Sequence, residues 1–173
     1  MNYKSKLNDI KAVVLDVDGV LTDGSLVLMP DGSMTRTMNT RDGYAMQLAV
    51  KQGFPICVIT GGNDAAVKQR MNYLGITDVY MASRHKIDDF NDFLDKYGFS
   101  ADEVAFMGDD MPDYEVMQMV GLPCCPKDAA PEIRKISLYI SQKEGGKGCV
   151  RDILEQLLKV NGKWTEDTGV TST

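Results

Sequence analysis

The sequence predicts an α/β fold, a doubly wound and mostly parallel sheet of Rossmann-like type. Three observations carry that expectation. Short β-branched apolar runs alternate with segments of helical periodicity, the rhythm of strands joined by crossover helices. AVVLDV and PICVIT read as strands buried on both faces, the pattern of a sheet covered on each side. Polar residues gather just after several of these runs, where an open parallel sheet forms its crevice.

The elements follow in order. AVVLDV is the first long strand. SLVLMPDGSMTRTMN holds two extended runs around Pro30-Asp31-Gly32, a hairpin signal placed at about residues 25–38. DGYAMQLAVKQG reads as a helix with Tyr44, Leu48 and Ala49 at helical spacing and Gly53 as its stop. PICVIT is a second buried strand. NDAAVKQRMNYLG is a helix, with Asn63 as the expected cap and Gly75 as its end. DVYMA is a short strand, and KIDDFNDFLDKYG a helix with Phe90, Phe93 and Leu94 inward. SADE, Ser100 to Glu103, has the form of a capping box, although VAFMGDD after it reads as a strand. MPDYEVMQMVG is a short helix with Pro112 near its first turn. LPCC, DAAPEIRKI and SLYIS continue the alternation, and a last helix covers about residues 147–160. One domain is expected over residues 1–163, followed by a polar, mobile tail at 164–173.

Bulk properties exclude several classes. The 173 residues, 43% of them hydrophobic, are enough for one sizeable core. A formal net charge of -6 argues against nucleic acid or an acidic membrane as a partner, and leaves room for a local basic pocket for a small anion. The four cysteines, Cys57, Cys124, Cys125 and Cys149, form no Cys-x-x-Cys pair and have one histidine, His85, for company. That is a poor zinc set and fits reduced thiols. The N-terminal stretch has no signal-peptide core and no apolar run reaches the length of a membrane span, so the expected location is the cytoplasm.

Chemistry-bearing residues sit where the sheet should collect them. After the first long strand come Asp16, Asp18 and Thr22. After the second come Thr60, Gly61 and Gly62, after the third Lys86, and after the fourth Gly108, Asp109, Asp110 and Asp113. Nearby carboxylates repel unless something positive lies between them. Asp16, Asp18 and Asp109 could share a hard divalent cation such as Mg2+, which prefers oxygen ligands and a substrate phosphate. Thr60 and the next backbone N–H would hold phosphate oxygens, and Lys86 would add positive charge. Asp16 is placed to act as nucleophile through an aspartyl-phosphate, and Asp18 as general acid and base. Asp110 and Asp113 fit supporting roles behind the metal ligands.

These motifs are where a resemblance becomes specific. DVDGVLT (Asp16–Thr22), VITGG with Thr60, Lys86 and GDDMPD (Gly108–Asp113) resemble the four motifs of haloacid dehalogenase superfamily phosphatases, in the same order. DVDGVLTDG, the hairpin, NTRDGY (Asn39–Tyr44) and GGKGCVRDILEQLL are similar to the family of 3-deoxy-D-manno-octulosonate 8-phosphate phosphatases, over nearly the whole chain to Lys163. The resemblance implies a Mg2+-dependent phosphatase acting on a phosphorylated sugar acid in lipopolysaccharide precursor synthesis. By resemblance, Asn39, Thr40, Arg41, Asp42 and Gly43 line the substrate pocket, with Asp18, Gly61 and Lys86 beside them and Arg70 contributing a charge. Arginines suit a substrate carboxylate. One departure stands out: the family often has Arg after the Thr-Gly pair, a close relative acting on a nine-carbon keto acid has Glu, and this chain has Gly62. A nine-carbon, sialic-acid-like substrate is therefore the alternative.

The Asp23–Thr40 segment has room for a hairpin and not for a helical cap. A small-molecule site needs some cover against water. The resemblance implies a homo-oligomer, a tetramer in which hairpins associate and a neighbour covers the site; the tail with Trp164 is a second candidate cover. Two other classes compete. A phosphorylated receiver domain would carry its phosphoacceptor after a later strand than its acidic pair, the reverse of the order here. A non-catalytic assembly domain would have no reason to keep Asp16, Asp18, Thr60, Lys86 and Asp109 together.

Overall fold

The computed structural model describes residues 2–165, 169–171 and 173. Its centre is a six-stranded sheet of β1 (Ala12–Leu15), β4 (Ile56–Ile59), β5 (Asp78–Tyr80), β6 (Val104–Met107), β7 (Leu122–Cys125) and β8 (Tyr139–Ile140). The order across the sheet is β5-β4-β1-β6-β7-β8, and every pairing is parallel. The chain winds outward from β1 to one edge through β4 and β5, then returns to the other side of β1 through β6. The reversal of direction therefore falls at β1, and the crevice at the carboxyl ends of β1, β4 and β6 is where such a sheet binds its ligand.

Side-chain alternation along the strands builds two cores, one per face. Val13 and Leu15 of β1 face α1 (Thr40–Lys51), α2 (Ala65–Tyr73) and α6 (Cys149–Val160). Ala12 and Val14 face α3 (Lys86–Tyr97), α4 (Tyr114–Met117) and α5 (Pro131–Ile136). Phe90, Phe93 and Phe106 are fully buried on that second face, each adding roughly 1.5–3 kcal/mol of apolar burial. All four cysteines are buried, as packing residues are.

Boundaries differ from the sequence reading where caps decide them. Helix α1 starts at Thr40, because the Asn39 side chain accepts the Arg41 N–H at 2.9 Å. Helix α2 starts at Ala65, so its cap is Asp64, which accepts the Ala66 N–H at 2.9 Å; Asn63 lies one residue too early. The Ser100–Glu103 capping box does form, but it closes a single 3-10 turn before β6. The hairpin is short, with β2 (Val27–Leu28) against β3 (Met34–Thr35).

The described part of the tail packs on the body. Trp164 meets Tyr44 edge-on at 6.3 Å between centroids, with the Arg151 guanidinium 5.3 Å over its ring. Val170 is buried, and the Thr171 N–H donates to Gln47 at 2.7 Å. A large aromatic ring with a cation on its face has reason to dock rather than remain in water. It docks on α1 and α6, away from the crevice, so these residues do not cover the chain's own site. Residues 166–168 and 172 of the expected tail lie outside the described residues.

Candidate active site

The carboxyl ends of β1, β4, β5 and β6 surround a cavity of about 540 Å3, lined by Asp16, Asp18, Thr60, Gly61, Gly62, Lys86, Asp109, Asp110 and Asp113 among others. After β1 the chain turns through Val17–Leu21 and places Asp16 at the mouth with 7% of its surface exposed. The turn is held by Thr22, fully buried, whose hydroxyl oxygen accepts the N–H groups of Gly19 at 3.3 Å and Gly24 at 3.1 Å. Gly19 lies at φ +86°, a backbone region that favours glycine. A Cβ there would fall 2.0 Å from Asp109 Oδ2, so the first and fourth motifs are in backbone-to-carboxylate contact. The GGKG segment supports the turn from behind, since a Cβ on Gly145 would fall 1.9 Å from the Gly19 carbonyl oxygen.

The Lys86 ammonium donates to Asp16 Oδ1 and to Asp113 Oδ1, both at 2.7 Å. Burial opposes the charge on Lys86, but Asp113 and Asp16 outweigh it and raise its pKa. Asp113 also accepts the Asp109 N–H at 3.0 Å, fixing the loop after β6. Carboxylate oxygens of Asp16, Asp109 and Asp113 lie within 4.8 Å of one another. Burial first, then the charge of Asp113, pushes the Asp16 carboxyl up to about 6 despite Lys86. Burial first, then Asp16, Asp113 and Asp110, pushes Asp109 up to about 8. Three crowded carboxylates against one ammonium make an excess of negative charge, all of it on hard oxygen donors. That donor set fits a divalent cation of the magnesium type.

Thr60 is 2% exposed, and its hydroxyl oxygen accepts the Gly62 N–H at 3.1 Å, which leaves its own proton to donate elsewhere. Gly61 and Gly62 form the adjoining wall. Asp110 lines the rim and accepts the Met111 N–H at 2.8 Å, capping a 3-10 turn.

Several expected residues sit elsewhere. Asp18 lines the cavity but is not among the clustered carboxylates; both its oxygens accept from Arg36. Asp113, expected only behind the ligands, takes the third place in that cluster. The Asn39–Gly43 segment lies at the start of α1, outside the cavity. Asn39 caps α1, and Thr40 and Gly43 form its first turn. Asp42 is buried and accepts the Arg151 N–H at 2.7 Å, so it caps α6 from a neighbouring helix where Gly148 has no side chain to do so. Burial pushes Asp42 up to about 6, opposed by the N–H groups of Arg151, Gly148 and Val150. Arg41 lines a separate basic cavity of about 340 Å3 with Lys143, Lys147 and Arg151. Arg70 lines another, of about 490 Å3, between the hairpin and α2.

Ser83 and Arg84 were missed. They follow β5 and line the catalytic cavity, and the Ser83 hydroxyl oxygen is buried with no partner. Their position just before Lys86 was the available signal. Arg36 was also missed, because SMTRT reads as the polar edge of a hairpin.

A buried carboxylate at the end of a central parallel strand, paired with a lysine and facing an acidic loop, defines a phosphoric monoester hydrolase of the haloacid dehalogenase type. The model of the haloacid dehalogenase-like hydrolases matches residues 75–153. The 3-deoxy-D-manno-octulosonate 8-phosphate phosphatase of Escherichia coli (strain K12) is 36% identical over 165 residues, 95% of this chain and 88% of its own. The crystal structure of the Yersinia pestis phosphatase of that name superposes with a TM-score of 0.91 at 29% identity, over 98% of this chain and 90% of the other. That of Moraxella catarrhalis, in complex with magnesium ion, phosphate ion and KDO, superposes with a TM-score of 0.87 at 30% identity, over 91% and 90%. The chain belongs to the haloacid dehalogenase-like hydrolases, in the family of the 3-deoxy-D-manno-octulosonate 8-phosphate phosphatases.

The Gly19 contact makes a test. Gly19→Ala must push Asp109 aside by about 1 Å or more, and a displacement of that size costs on the order of 10²-fold in rate. Phosphate release should fall by about that factor, and calorimetric Mg2+ affinity should fall with it. Normal affinity and rate would show that the turn tolerates a side chain.

Proposed function

We propose that the chain hydrolyses 3-deoxy-D-manno-octulosonate 8-phosphate to the free sugar acid and phosphate, with Mg2+, through an aspartyl-phosphate on Asp16, in lipopolysaccharide precursor synthesis in the cytoplasm. The observation that carries this reading is Asp16 itself. It is buried at the strand end, with one oxygen held by Lys86 at 2.7 Å and Asp109 beside it, in the cavity that also holds Asp18 and Thr60. No described helix is long and apolar enough to cross a membrane.

Asp16, Asp109 and Asp113 would hold the cation. When bound, it supplies positive charge against the phosphoryl oxygens and offsets the repulsion among the carboxylates. An Asp16 oxygen attacks phosphorus in line, and the bond from phosphorus to the sugar oxygen breaks. Asp18 gives that oxygen a proton. Water then attacks the phosphorus of the aspartyl-phosphate, Asp18 takes its proton, and Asp16 is regenerated. The Thr60 hydroxyl and the Gly61 N–H donate to phosphoryl oxygens, while Lys86 balances charge. One domain over residues 1–163 carries all of these groups.

The test is phosphate release with Mg2+ across eight-carbon and nine-carbon keto-acid phosphates and hexose phosphates. The eight-carbon acid should lead the hexose phosphates by at least about tenfold in kcat/KM, the value of one charge-assisted contact of roughly 1.5–3 kcal/mol. EDTA should stop turnover and Mg2+ restore it. Preference for the nine-carbon acid would favour the alternative substrate, and indifference to EDTA would remove the metal.

The same reading includes a homotetramer. The hairpin exposes Leu26, Val27, Leu28, Met29 and Met34, with Leu28 at 75%, a contiguous apolar surface that a monomer would leave wet. Light scattering should give four times the 19.1 kDa chain mass. Val27→Lys with Leu28→Asp should give a smaller species. A monomeric, fully active wild type would remove this part of the reading.

A further inference from the structure

Arg36 follows β3 at the base of the hairpin, and its side chain reaches back onto the catalytic loop. Nε donates to Asp18 Oδ1 at 2.7 Å and Nη2 to Asp18 Oδ2 at 3.2 Å. Nη1 donates to Asp64 Oδ2 at 3.0 Å. The side chain is only 8% exposed. It lies against Gly62, where a Cβ would meet Arg36 Nη2 at 3.3 Å and Thr60 Oγ1 at 3.4 Å. The hairpin thus brings a guanidinium to the place beside position 62, and the absence of a side chain there makes room for it. Arg36 and Asp64 also line the 490 Å3 cavity between hairpin and α2, while Asp18 and Gly62 line the catalytic one. The guanidinium is therefore the partition between the two spaces.

We propose that Arg36 reads the leaving group and couples that reading to Asp18. In the conformation seen here both Asp18 oxygens accept from the guanidinium, which ties up the carboxyl that must serve the leaving oxygen. An acidic leaving group entering the second cavity offers Arg36 the same type of charge-assisted bond that Asp18 gives. Three of the five guanidinium N–H groups serve Asp18 and Asp64, which leaves two to engage the ligand first. Asp64 keeps the guanidinium anchored while the fork passes from Asp18 to the ligand, and Asp18 is released to the leaving oxygen. A neutral leaving group offers weaker bonds and leaves Asp18 held. Arg36 is then a positioning and specificity residue, and the device rests on the sugar-acid reading of the substrate.

The experiment compares wild type, Arg36→Met and Arg36→Lys on the eight-carbon keto-acid phosphate and on a hexose 6-phosphate, with thermal melts of each variant. Both substrates have alcohol leaving groups, so they differ in the acid and not in the chemistry. Arg36→Met should cut the acid-to-neutral ratio of kcat/KM by at least about tenfold, lowering kcat/KM for the acid and raising kcat for the hexose phosphate. Arg36→Lys, which keeps charge and loses the fork, should fall between. An equal loss on both substrates, or an unaltered ratio, would overturn the coupling and reduce Arg36 to an anchor of the hairpin. Should Arg36→Met fail to fold, the lysine variant decides by the same ratio. A wild type with no preference for the acid would instead overturn the substrate reading on which the device stands.

Discussion

Asp16→Asn abolishes phosphate release, by about 10⁴-fold or more, the scale on which removing a nucleophile acts. The amide keeps the shape of the carboxylate and an oxygen for the Lys86 ammonium, so the site remains assembled. What is lost, on the proposed mechanism, is the atom that forms the bond to phosphorus. The melting temperature should stay near that of wild type, because the change also relieves the repulsion among Asp16, Asp109 and Asp113. Acid-quenched wild type should carry phosphate on Asp16 by mass spectrometry, and the variant none. Turnover within tenfold of wild type would assign the nucleophile elsewhere.

Lys86→Met gives the largest combined loss of rate and stability. Lys86 is 7% exposed and bonds to two buried carboxylates at 2.7 Å each. Breaking a buried ion pair from one side costs about 3–5 kcal/mol, since the charge left behind is uncompensated. In a domain of this size that is a fall in melting temperature of roughly 6–20 °C. Part of the loss should return in excess Mg2+, which would supply charge to the same carboxylates. Methionine fills the volume of the lysine stem, so the deficit reports charge rather than packing. A melting temperature within 2 °C of wild type, without metal, would mean that the carboxylates do not need the ammonium.

The sheet was legible because its strands are buried on both faces. Runs such as AVVL and ICVI can occupy few other places in a fold of this kind. Once strands are placed, a parallel sheet maps the residues after them onto one crevice, and Asp16, Thr60, Lys86 and Asp109 do converge there.

What the sequence alone determined, then, is the order of strands and helices and the residues delivered to the strand ends. Periodicity and turn chemistry act over a few neighbours, and a parallel sheet converts that local order into a shared site. Only the tertiary structure decided which partner each charged side chain takes. Asp113 could have capped its own turn, and instead joins Lys86 from 27 residues away. Asp42 could have faced a ligand, and instead caps a helix 109 residues on. Asp18 could have turned to the metal-type cluster, and instead meets Arg36 from the hairpin. Such choices depend on competing charges and donors brought close by the fold, each worth about 1–3 kcal/mol, and no local pattern records which competitor will be within reach.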